Sequence, residues 1–351
     1  MRFALVIGFL LTQVLATAQD IQATASVPRQ EWDSVRAYYI KHFPDYFFVY
    51  PVLKQRSLSF ELEKEGDDGR LVTYKPNNSY SFGVGLYLFE VGFELAFAIP
   101  IDEKSKALYG ESDARDLQLN ALGKRWGLDA FYQQYNGFYT TDSEVDVLPD
   151  APYPQRPDVE STNFGLTGNY VFNSRKFSFR SAYNFAERQV FSKGSFLLVT
   201  SLSSFRFAAD SAIINDAQRV DFGDGVAFTK LRYTTFSIAP GYTYSIVFQN
   251  FFLNGTLCVG PAHHWINYSL EGMDGRYETG INSFVAARIS LGYNGDRFFG
   301  GISFLSQGSN VNFEDVRFSN NNGSFKILVG YRFREWGFLK KRVWDLIPLK
   351  L

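Results

Sequence analysis

The chain has 351 residues, a formal net charge of −1 and a single cysteine, Cys258. The near-neutral charge gives no argument for binding nucleic acid or anionic lipid headgroups, and one cysteine excludes an internal disulfide. Aromatic residues make up 18% of the chain, yet the mean hydropathy is only −0.15. A soluble protein would bury most of these rings and have a more apolar average. A membrane barrel combines an aromatic outer surface with a polar interior, which fits this composition.

The first 18 residues have the pattern of a secretory leader. Met1 and Arg2 give a basic start, an apolar run extends from Phe3 to Leu15, and Ala16-Thr17-Ala18 forms a small-x-small site. This pattern predicts a signal peptide over residues 1–18 that is cleaved after Ala18. The alternative, an N-terminal anchor helix, is disfavoured because the run is too short to span a bilayer. No apolar stretch of 18 or more residues follows, so no spanning helix is predicted.

Residues 19–45 are predicted to form a periplasmic N-terminal segment with one short helix. Trp32, Val35, Tyr39 and Phe43 recur at spacings of three and four residues, which predicts an amphipathic helix over residues 31–43 that Pro44 ends. Two interpretations remain open. The helix either plugs or latches a barrel, or it covers the first strand or lies on the membrane surface.

From about Ser79 to Phe333 the chain repeats short stretches of two-residue alternation between large apolar and small or polar residues, most clearly at Phe177–Phe185. A strand has this period, because successive side chains point to opposite faces. Many such segments behind a secretory leader predict an all-β fold, a transmembrane antiparallel up-and-down β-barrel over residues 46–333. The predicted strands are Val52–Glu63, Tyr80–Leu88, Val91–Ile99, Arg115–Lys124, Leu128–Tyr139, Thr162–Asn173, Phe177–Glu187, Ser195–Phe207, Leu231–Gln249, Phe251–Leu270, Ile281–Asn294, Phe298–Leu305 and Ser324–Phe333.

Short predicted turns alternate with long loops, as periplasmic turns and extracellular loops do in outer-membrane barrels. The long loops are predicted at Asp102–Ala114, Thr140–Glu160, Asp210–Thr229 and Gln307–Gly323. Thirteen strand candidates conflict with the even number that a bacterial barrel should have, and the strand directions disagree between Asn173 and Thr229. At about 24 residues per strand and connection we predict about twelve strands, with fourteen as the alternative.

The apolar side of each predicted strand is expected to face lipid, and the polar side is expected to face the lumen. A cation on the lipid face near the midplane costs roughly 2–4 kcal/mol, so charged residues should point inward. The residues predicted to face the lumen, where they would tune the selectivity of a pore, are Glu94, Asp129, Arg180, Asn184 and Arg288. Small residues on the same faces leave room for water or for a segment folded into the barrel.

The last predicted strand resembles the C-terminal insertion signal of bacterial outer-membrane proteins, because it closes on an aromatic-x-aromatic pair, Tyr331 and Phe333. It lacks the usual central glycine, having Leu328 there, and a tail over residues 334–351 follows it. The aromatic and basic composition of this tail suits the membrane interface.

Several segments resemble an uncharacterised family of bacterial outer-membrane barrels, the domain of unknown function 4421. The segments are Arg125–Asp129, Tyr132–Tyr139, Tyr170–Asn173, Lys176–Ala182 and Gly194–Leu198. The resemblance extends from about Trp32 to Phe333. It implies the barrel fold and the outer-membrane location. It implies no known activity, so it assigns no functional residues.

The sequence contains little that points to catalysis. The histidines are His42, His263 and His264, and adjacent strand residues point in opposite directions, so at most one of His263 and His264 can face a given site. An outer-membrane lipid hydrolase needs serine, histidine and carboxamide groups on neighbouring strands; Ser303 and Asn267 are of the right type, but nothing in the sequence brings them together. We predict no catalytic residues, and His263 and His264 are the candidates if the protein is an enzyme.

No metal or cofactor site is predicted. The sequence has no cysteine pair and no histidine spacing suited to zinc, and the loop that contains Asp221 and Asp224 lacks the spacing of a calcium-binding EF-hand.

Three function classes remain open: a pore or transporter for small solutes, a structural or assembly protein that binds another envelope component, and an outer-membrane lipid hydrolase. The predicted location is the outer membrane of a Gram-negative bacterium. The predicted partners are outer-membrane lipid and lipopolysaccharide, the barrel-assembly machinery during insertion, and another envelope protein, with no nucleic acid. A segment folded into the lumen, either residues 19–45 or the Asp210–Thr229 loop, favours the assembly role over the pore.

Overall fold

The computed structural model describes residues 29–44, 46–64, 69–78, 80–88, 91–223, 226–270, 273, 275–313 and 316–335. The predicted signal peptide over residues 1–18 and residues 336–351 of the predicted tail lie outside the described residues, and both remain predictions. Among the helices within these ranges, none is long and apolar enough to cross a membrane.

The described residues form four helices and fifteen strands. The helices are α1 Arg29–Tyr39, α2 Glu103–Tyr109, α3 Arg180–Tyr183 and α4 Asp216–Phe222. The strands are β1 Ile40–His42, β2 Tyr46–Lys64, β3 Leu71–Lys75, β4 Ser81–Leu88, β5 Val91–Ala98, β6 Asp113–Leu122, β7 Trp126–Asp142, β8 Gln155–Val171, β9 Glu187–Gln189, β10 Lys193–Ala208, β11 Phe228–Phe248, β12 Phe251–Leu270, β13 Arg276–Asn294, β14 Phe298–Phe313 and β15 Val316–Arg334.

Ten strands form a closed antiparallel ring, which confirms the predicted all-β antiparallel barrel. Their order is β2, β3, β7, β8, β10, β11, β12, β13, β14 and β15, and β15 pairs with β2 to close the ring. Three strands lie outside this ring: β4 pairs with β2, β5 with β4, and β6 with β7. β1 and β9 form a separate two-stranded ladder.

The closed ring has fewer strands than the twelve predicted, because the strand after the first turn is interrupted at Pro76. Proline has no backbone N–H to give to a ladder. On one side of this break β3 pairs with both β2 and β7. On the other side, β4 and β5 extend from β2, and β6 extends from β7. β3 was not predicted because it is very short. It has five residues, and its ladders contain only four residue pairs each.

The two ends of the barrel differ in what closes them. We call the end at which Tyr46 begins β2, opposite Arg334 of β15, the plug end. The opposite end, at which Lys64 lies across from Val316, is the cap end. The plug half and the cap half of the barrel are named accordingly.

Outward side chains change from polar to apolar along single strands, from the cap end toward the plug end. On β11 the outward side chains are first Lys230, Arg232 and Thr234, and then Phe236, Ile238, Tyr242, Tyr244, Ile246 and Phe248. The inward side chains reverse this order: Leu231 and Tyr233 precede Thr235, Ser237 and Thr243. A strand of 21 residues is roughly 70 Å long, and hydrocarbon needs only about 9–11 residues of tilted strand.

The cap half has an apolar core, which corrects the prediction of a polar lumen throughout. Phe60 is completely buried there; its ring stacks on Tyr74 at a centroid distance of 4.8 Å and on Phe318 at 5.6 Å. Leu58, Leu62, Phe205 and Phe207 belong to the same core. Because the outer surface of this half is polar, its apolar residues are inside, as the hydrophobic effect requires in water.

The predicted strand Phe177–Glu187 is wrong, although its alternation was the clearest in the sequence. Residues 172–192 instead fold into the lumen at the plug end as a segment that we call the inner plug, which contains α3 and β9. Phe177 and Phe179 pack against small inward residues of the wall, including Ala239 and Cys258. The alternating large side chains therefore fill the interior of the barrel and do not form part of its wall.

Three further segments differ from prediction. The prediction of a loop at Gln307–Gly323 is wrong. β14 and β15 continue through most of this segment, and they bury Val311 and Phe318 inside the barrel. The helix predicted over residues 31–43 ends at Tyr39, since residues 40–42 are extended and pair with β9. The Asp210–Thr229 loop contains α4 and buries Ile213, Ile214 and Phe222 in the apolar core at the cap end.

Candidate functional site

A cavity of about 460 Å³ lies between the inner plug and the apolar core and reaches the outer surface beside β5 and β6, where the exposed Leu95 and Leu117 line it. Tyr183 and Asn184 of the plug form part of its wall on one side, and Phe131 lines it on the other. Its charged lining comes from six strands and consists of Lys54, Glu94, Asp116, Asp129, Arg288 and Lys326. The cavity therefore has both signs of charge within the half of the barrel whose outer surface is apolar.

Three ion pairs cross this part of the lumen. Lys326 Nζ of β15 lies 2.5 Å from Glu94 Oε1 of β5, and the Tyr50 hydroxyl donates to the same oxygen at 3.0 Å. Arg288 Nη2 of β13 donates to Asp129 Oδ2 of β7 at 3.1 Å. The third pair joins Arg56 of β2 to Asp116 of β6. Charge-assisted hydrogen bonds of this kind are about twice as strong as neutral ones.

The inner plug is attached to the wall mainly through hydrogen bonds to its backbone. Asn294 Nδ2 donates to the carbonyl oxygens of Ser181 and Glu187, at 3.0 Å each. Ser290 Oγ donates to the Ala182 carbonyl at 2.8 Å. Satisfied polar groups make the buried plug tolerable, because each unsatisfied backbone group inside the lumen would cost free energy.

Arg332 is a fully buried cation that joins the plug, a turn and the wall. Its Nη2 donates to the Phe185 carbonyl at 2.6 Å, and its Nη1 donates to the Gly295 carbonyl at 2.6 Å. The guanidinium also lies 4.0 Å from the centroid of the Phe43 ring and 4.6 Å from that of Phe299. Cation–π contacts stabilise a desolvated arginine in such an aromatic site.

A buried ion pair latches the N-terminal segment to the inner plug. Arg36 Nη2 of α1 lies 2.6 Å from Glu187 Oε2 of β9, and both side chains are almost completely buried. His42 Nδ1 lies 3.1 Å from Glu187 Oε1, and Arg180 lies 3.5 Å from the same oxygen. Ile40 to His42 pair with Glu187 to Gln189 beside them. We call this arrangement of Arg36, His42, Arg180 and Glu187 the latch.

The cations of the latch favour the charged form of Glu187. Burial alone raises the pKa of this carboxyl. The hydrogen bond with His42 and the charges of Arg180 and Arg36 act in the other direction, and the resulting pKa lies below the ordinary value of 4.5. The carboxylate is therefore charged at neutral pH.

The cap end is covered by residues 209–223, 226 and 227. The Ile213 amide donates to the Phe228 carbonyl at 2.9 Å, and the Tyr74 hydroxyl donates to the Ile213 carbonyl. Gln218 Nε2 of α4 donates to Asp142 Oδ2 at 2.8 Å, and Arg70 pairs with the same carboxylate at 2.7 Å. Within the described residues, this segment and the inner plug thus occupy the two ends of the lumen.

The five residues predicted to face the lumen lie in two groups. Glu94, Asp129 and Arg288 line the cavity from the barrel wall. Arg180 and Asn184 belong to the inner plug, where Arg180 donates to the Tyr87 hydroxyl and Asn184 lines the cavity. The structure brings four of the five to one cavity, and it places Arg180 in the latch.

The candidate enzyme residues do not form a catalytic constellation. His264 is buried and its Nδ1 lies 2.8 Å from Thr235 Oγ1, whereas His263 packs its ring edge-on against Trp265 at 4.5 Å. The two rings thus lie on opposite faces of β12. Ser303 lines the cavity from β14, and Asn267 lies on β12. Among the described residues no group of three or more His, Cys, Asp or Glu side chains could hold a metal ion.

Sequence reasoning missed Lys54, Lys326, Arg36, Glu187 and Arg332. The signal for Lys326 and Arg332 was present, because both lie opposite the apolar face of the predicted strand Ser324–Phe333. Lys54 had no such signal, since Gln55 and Ser57 on the outward face of its strand are polar. Arg36 and Glu187 had no such signal, because their pairing depends on the plug, and the plug was predicted to be a strand.

The family described as Domain of unknown function (DUF4421) matches residues 31–333. The chain belongs to this family. The match covers the segment from α1 to the last strand of the barrel, and the family carries no assigned activity. No curated protein is significantly similar to the chain.

Several solved structures of outer-membrane barrels are similar to this chain at low identity. The outer membrane protease OmpT from Escherichia coli is 12% identical with a TM-score of 0.41, and the match covers 83% of this chain and 97% of that one. The translocator domain of the autotransporter NalP from Neisseria meningitidis is 11% identical with a TM-score of 0.33, covering 92% and 98%. The attachment invasion locus protein Ail of Yersinia pestis is 11% identical with a TM-score of 0.23, covering 82% and 99%.

Proposed function

We propose that the protein is an integral outer-membrane barrel that transports small solutes through a gated lumen. The observation that carries the membrane location is the reversal of polarity along single strands, as on β11. A barrel wholly in water would keep its large apolar side chains inside along its whole length. If lipid surrounds the plug half and water surrounds the cap half, the outward face of one strand should be apolar in the plug half and polar in the cap half, as it is on β11.

The gating follows from the closed ends. The cavity contains ion pairs suited to polar or charged solutes, but the inner plug and the cap separate it from both sides. Passage along the axis therefore requires both the plug and the cap to move. The plug is attached by hydrogen bonds and by one latch to α1, so it can be displaced without breaking the closed ring.

The plug half, which we propose to lie in the membrane, has the number of strands that the sequence predicts. In the plug half, β4, β5 and β6 run between β2 and β7, where β3 runs in the cap half. With β4, β5 and β6 in place of β3, the wall of the plug half contains twelve strands, an even number as expected for a bacterial barrel.

The location is tested by insertion of the mature chain into lipid vesicles. We expect detergent-dependent solubility, an electrophoretic mobility that changes on heating, and protection of the plug half from protease. A monomeric chain that is soluble without detergent contradicts the proposal.

The gate is tested by planar-bilayer conductance. We expect the native protein to show no steady conductance. The Phe177→Ser, Phe179→Ser, Ile213→Ser, Ile214→Ser variant, whose plug and cap have each lost two buried apolar contacts, should open a channel. Val220→Ser, at an exposed position of α4, is the matched control and should stay closed. Steady conductance of the native barrel contradicts the gate.

The alternative function is structural, with the loops binding another envelope protein, and closure of both ends is the observation that favours it. In that case the variant with a loosened plug and a loosened cap folds and inserts but conducts no ions. Lipopolysaccharide and the barrel-assembly machinery are proposed partners under either function.

A further inference from the structure

The wall of the plug half contains a seam between β5 and β6. β5 is paired with β4 on one side, and β6 is paired with β7 on one side. No ladder joins β5 to β6 among the residues that the structure describes, although the two strands are neighbours. The cavity is lined by both free edges, through Glu94 and Ala96 of β5 and Gln118 and Asn120 of β6.

The seam lies at the level of the apolar outer surface. Phe93, Leu95 and Phe97 of β5 are exposed outward, as are Leu117 and Leu119 of β6. In hydrocarbon an unpaired backbone group costs several kcal/mol, so open edges persist only where a polar partner or a water-filled cavity meets them. The seam therefore connects the acyl-chain region of the membrane directly with a polar cavity.

Both edges of the seam are tied to the same inner wall by ion pairs. Glu94 of β5 pairs with Lys326 of β15, and Asp116 of β6 pairs with Arg56 of β2. Lys54 lies between these pairs on β2, directly opposite Lys326, and makes no salt bridge among the described residues. The wall behind the seam thus has three cations, Lys54, Arg56 and Lys326, for the two carboxylates of its edges.

We infer that the seam is a lateral entrance through which a single-chain anionic lipid binds, with its headgroup on Lys54 and its chain leaving between β5 and β6. A volume of about 460 Å³ is within the usual range of ligand sites, roughly 300–1,000 Å³, and suits one headgroup with part of one chain. The excess cation supplies the charge complementarity, and the apolar rim of the seam selects a ligand that arrives from the membrane.

An anionic headgroup also competes with Glu94 and Asp116 for their cations. Binding therefore weakens the two ties that fix the edges of the seam, so the wall parts further when the site is occupied. This inference rests on the proposed membrane location, but it does not require movement of the plug.

The test is binding of palmitate to the full-length mature barrel in detergent micelles, measured by native mass spectrometry and by titration. Lysophosphatidate, zwitterionic lysophosphatidylcholine and inorganic phosphate are compared in parallel. We expect saturable binding of the two anionic lipids, at least tenfold weaker binding of the zwitterionic lipid, and no binding of phosphate alone. Equal binding of all three lipids, or phosphate binding as tight as that of palmitate, overturns the proposal.

Two variants locate the site. Lys54→Gln removes the excess cation, and Asn120→Trp fills the cavity behind the seam; each should weaken palmitate binding at least tenfold. Lys230→Gln, on the outward face of β11 in the cap half, is the matched control and should bind as the native protein does. Native affinity in both site variants overturns the proposal.

Failure of folding is separated from failure of binding by the heat-dependent mobility of each variant. A folded barrel that binds no anionic lipid refutes the lateral site and leaves the gated lumen untouched. A chain that never inserts into membranes refutes both.

Discussion

Lys54 and Lys326 face each other directly across the β2–β15 ladder, on the lumenal side of the barrel. Like charges in directly opposed strand positions destabilise a sheet. Glu94 of β5 lies 2.5 Å from Lys326 and compensates this repulsion from a strand outside the closed ring. A strand that contributes no ladder to the ring thus stabilises a charge pair within it.

Glu94→Gln should destabilise the barrel by about 1.5–3 kcal/mol, because it removes a charge-assisted hydrogen bond and leaves two lysines opposed. Urea unfolding in lipid vesicles measures the change. The control is Glu160→Gln, at an exposed position where the carboxylate accepts one hydrogen bond from Gln134 at 3.1 Å. Equal losses for the two variants contradict the assigned role of Glu94.

Lys54→Gln should recover part of that loss when it is combined with Glu94→Gln, since only one lysine then remains in the opposed pair. A double-mutant cycle on the same unfolding measurement gives the coupling between the two positions. Strictly additive changes would show that Lys54 and Glu94 do not interact.

Glu187→Gln should release the N-terminal segment and loosen the inner plug. Removing one partner of a buried ion pair typically costs about 3–5 kcal/mol, because the remaining charge is left buried. Hydrogen exchange of residues 29–44 and 172–192 should increase while the exchange of β11 and β12 stays slow. Asp296→Asn is the milder comparison: its carboxylate joins Lys41 and Arg188 at a mostly exposed site, where a pair contributes about 0.2–1 kcal/mol.

Acid should loosen the same segment. The pKa of Glu187 is lower in the folded protein than its ordinary value of 4.5, so the carboxylate stabilises the fold fully above that value. The stabilisation is lost progressively as the pH falls below 4.5 toward the folded pKa, where Arg36 loses its partner. The protection factor at β9, which removes the intrinsic pH dependence of amide exchange, should therefore be constant from pH 7 to pH 5 and decrease below pH 4.5. Glu187→Gln should abolish this dependence.

Phe60→Ala should cost about 3–5 kcal/mol, as truncation of a buried aromatic ring does. The ring is completely buried and lies among Tyr74, Phe138 and Phe318. Phe97→Ala, at an outward position of β5 that is 68% exposed, should cost less because acyl chains replace the ring. If the two losses are equal in lipid vesicles, the cap half does not contain a dry core.

The alternation of the sequence was sufficient to predict the class of fold and most strands. It was not sufficient for Phe177–Phe185, because a period of two records only that large and small side chains alternate. The large side chains of this segment meet Ala239, Ala262 and Ala286 of the wall, and that fit exists only after the barrel has closed. Phe185 also has a positive φ of 57°, which lies outside the β region that a non-glycine strand residue adopts.

Alternation along the strands also predicted only some of the charged residues of the cavity. Glu94, Asp129 and Arg288 could be read from single strands, because each is a charge that alternates with apolar neighbours along its strand. Their partners come from strands far away along the chain: Lys326 is 232 residues from Glu94, and Arg288 is 159 residues from Asp129. Such pairs cannot be predicted from a single sequence, because they depend on the order of the strands around the ring.

The shortest wall strand has a consequence for the whole cylinder. β3 contributes only Leu71–Lys75, and it joins β2 to β7 through four residue pairs on each side. It closes the ring in the cap half, whereas the seam between β5 and β6 lies in the plug half. The proposed parting of the seam therefore need not open the ring, and disruption of the five residues of β3 would extend the gap between β2 and β7 along the barrel.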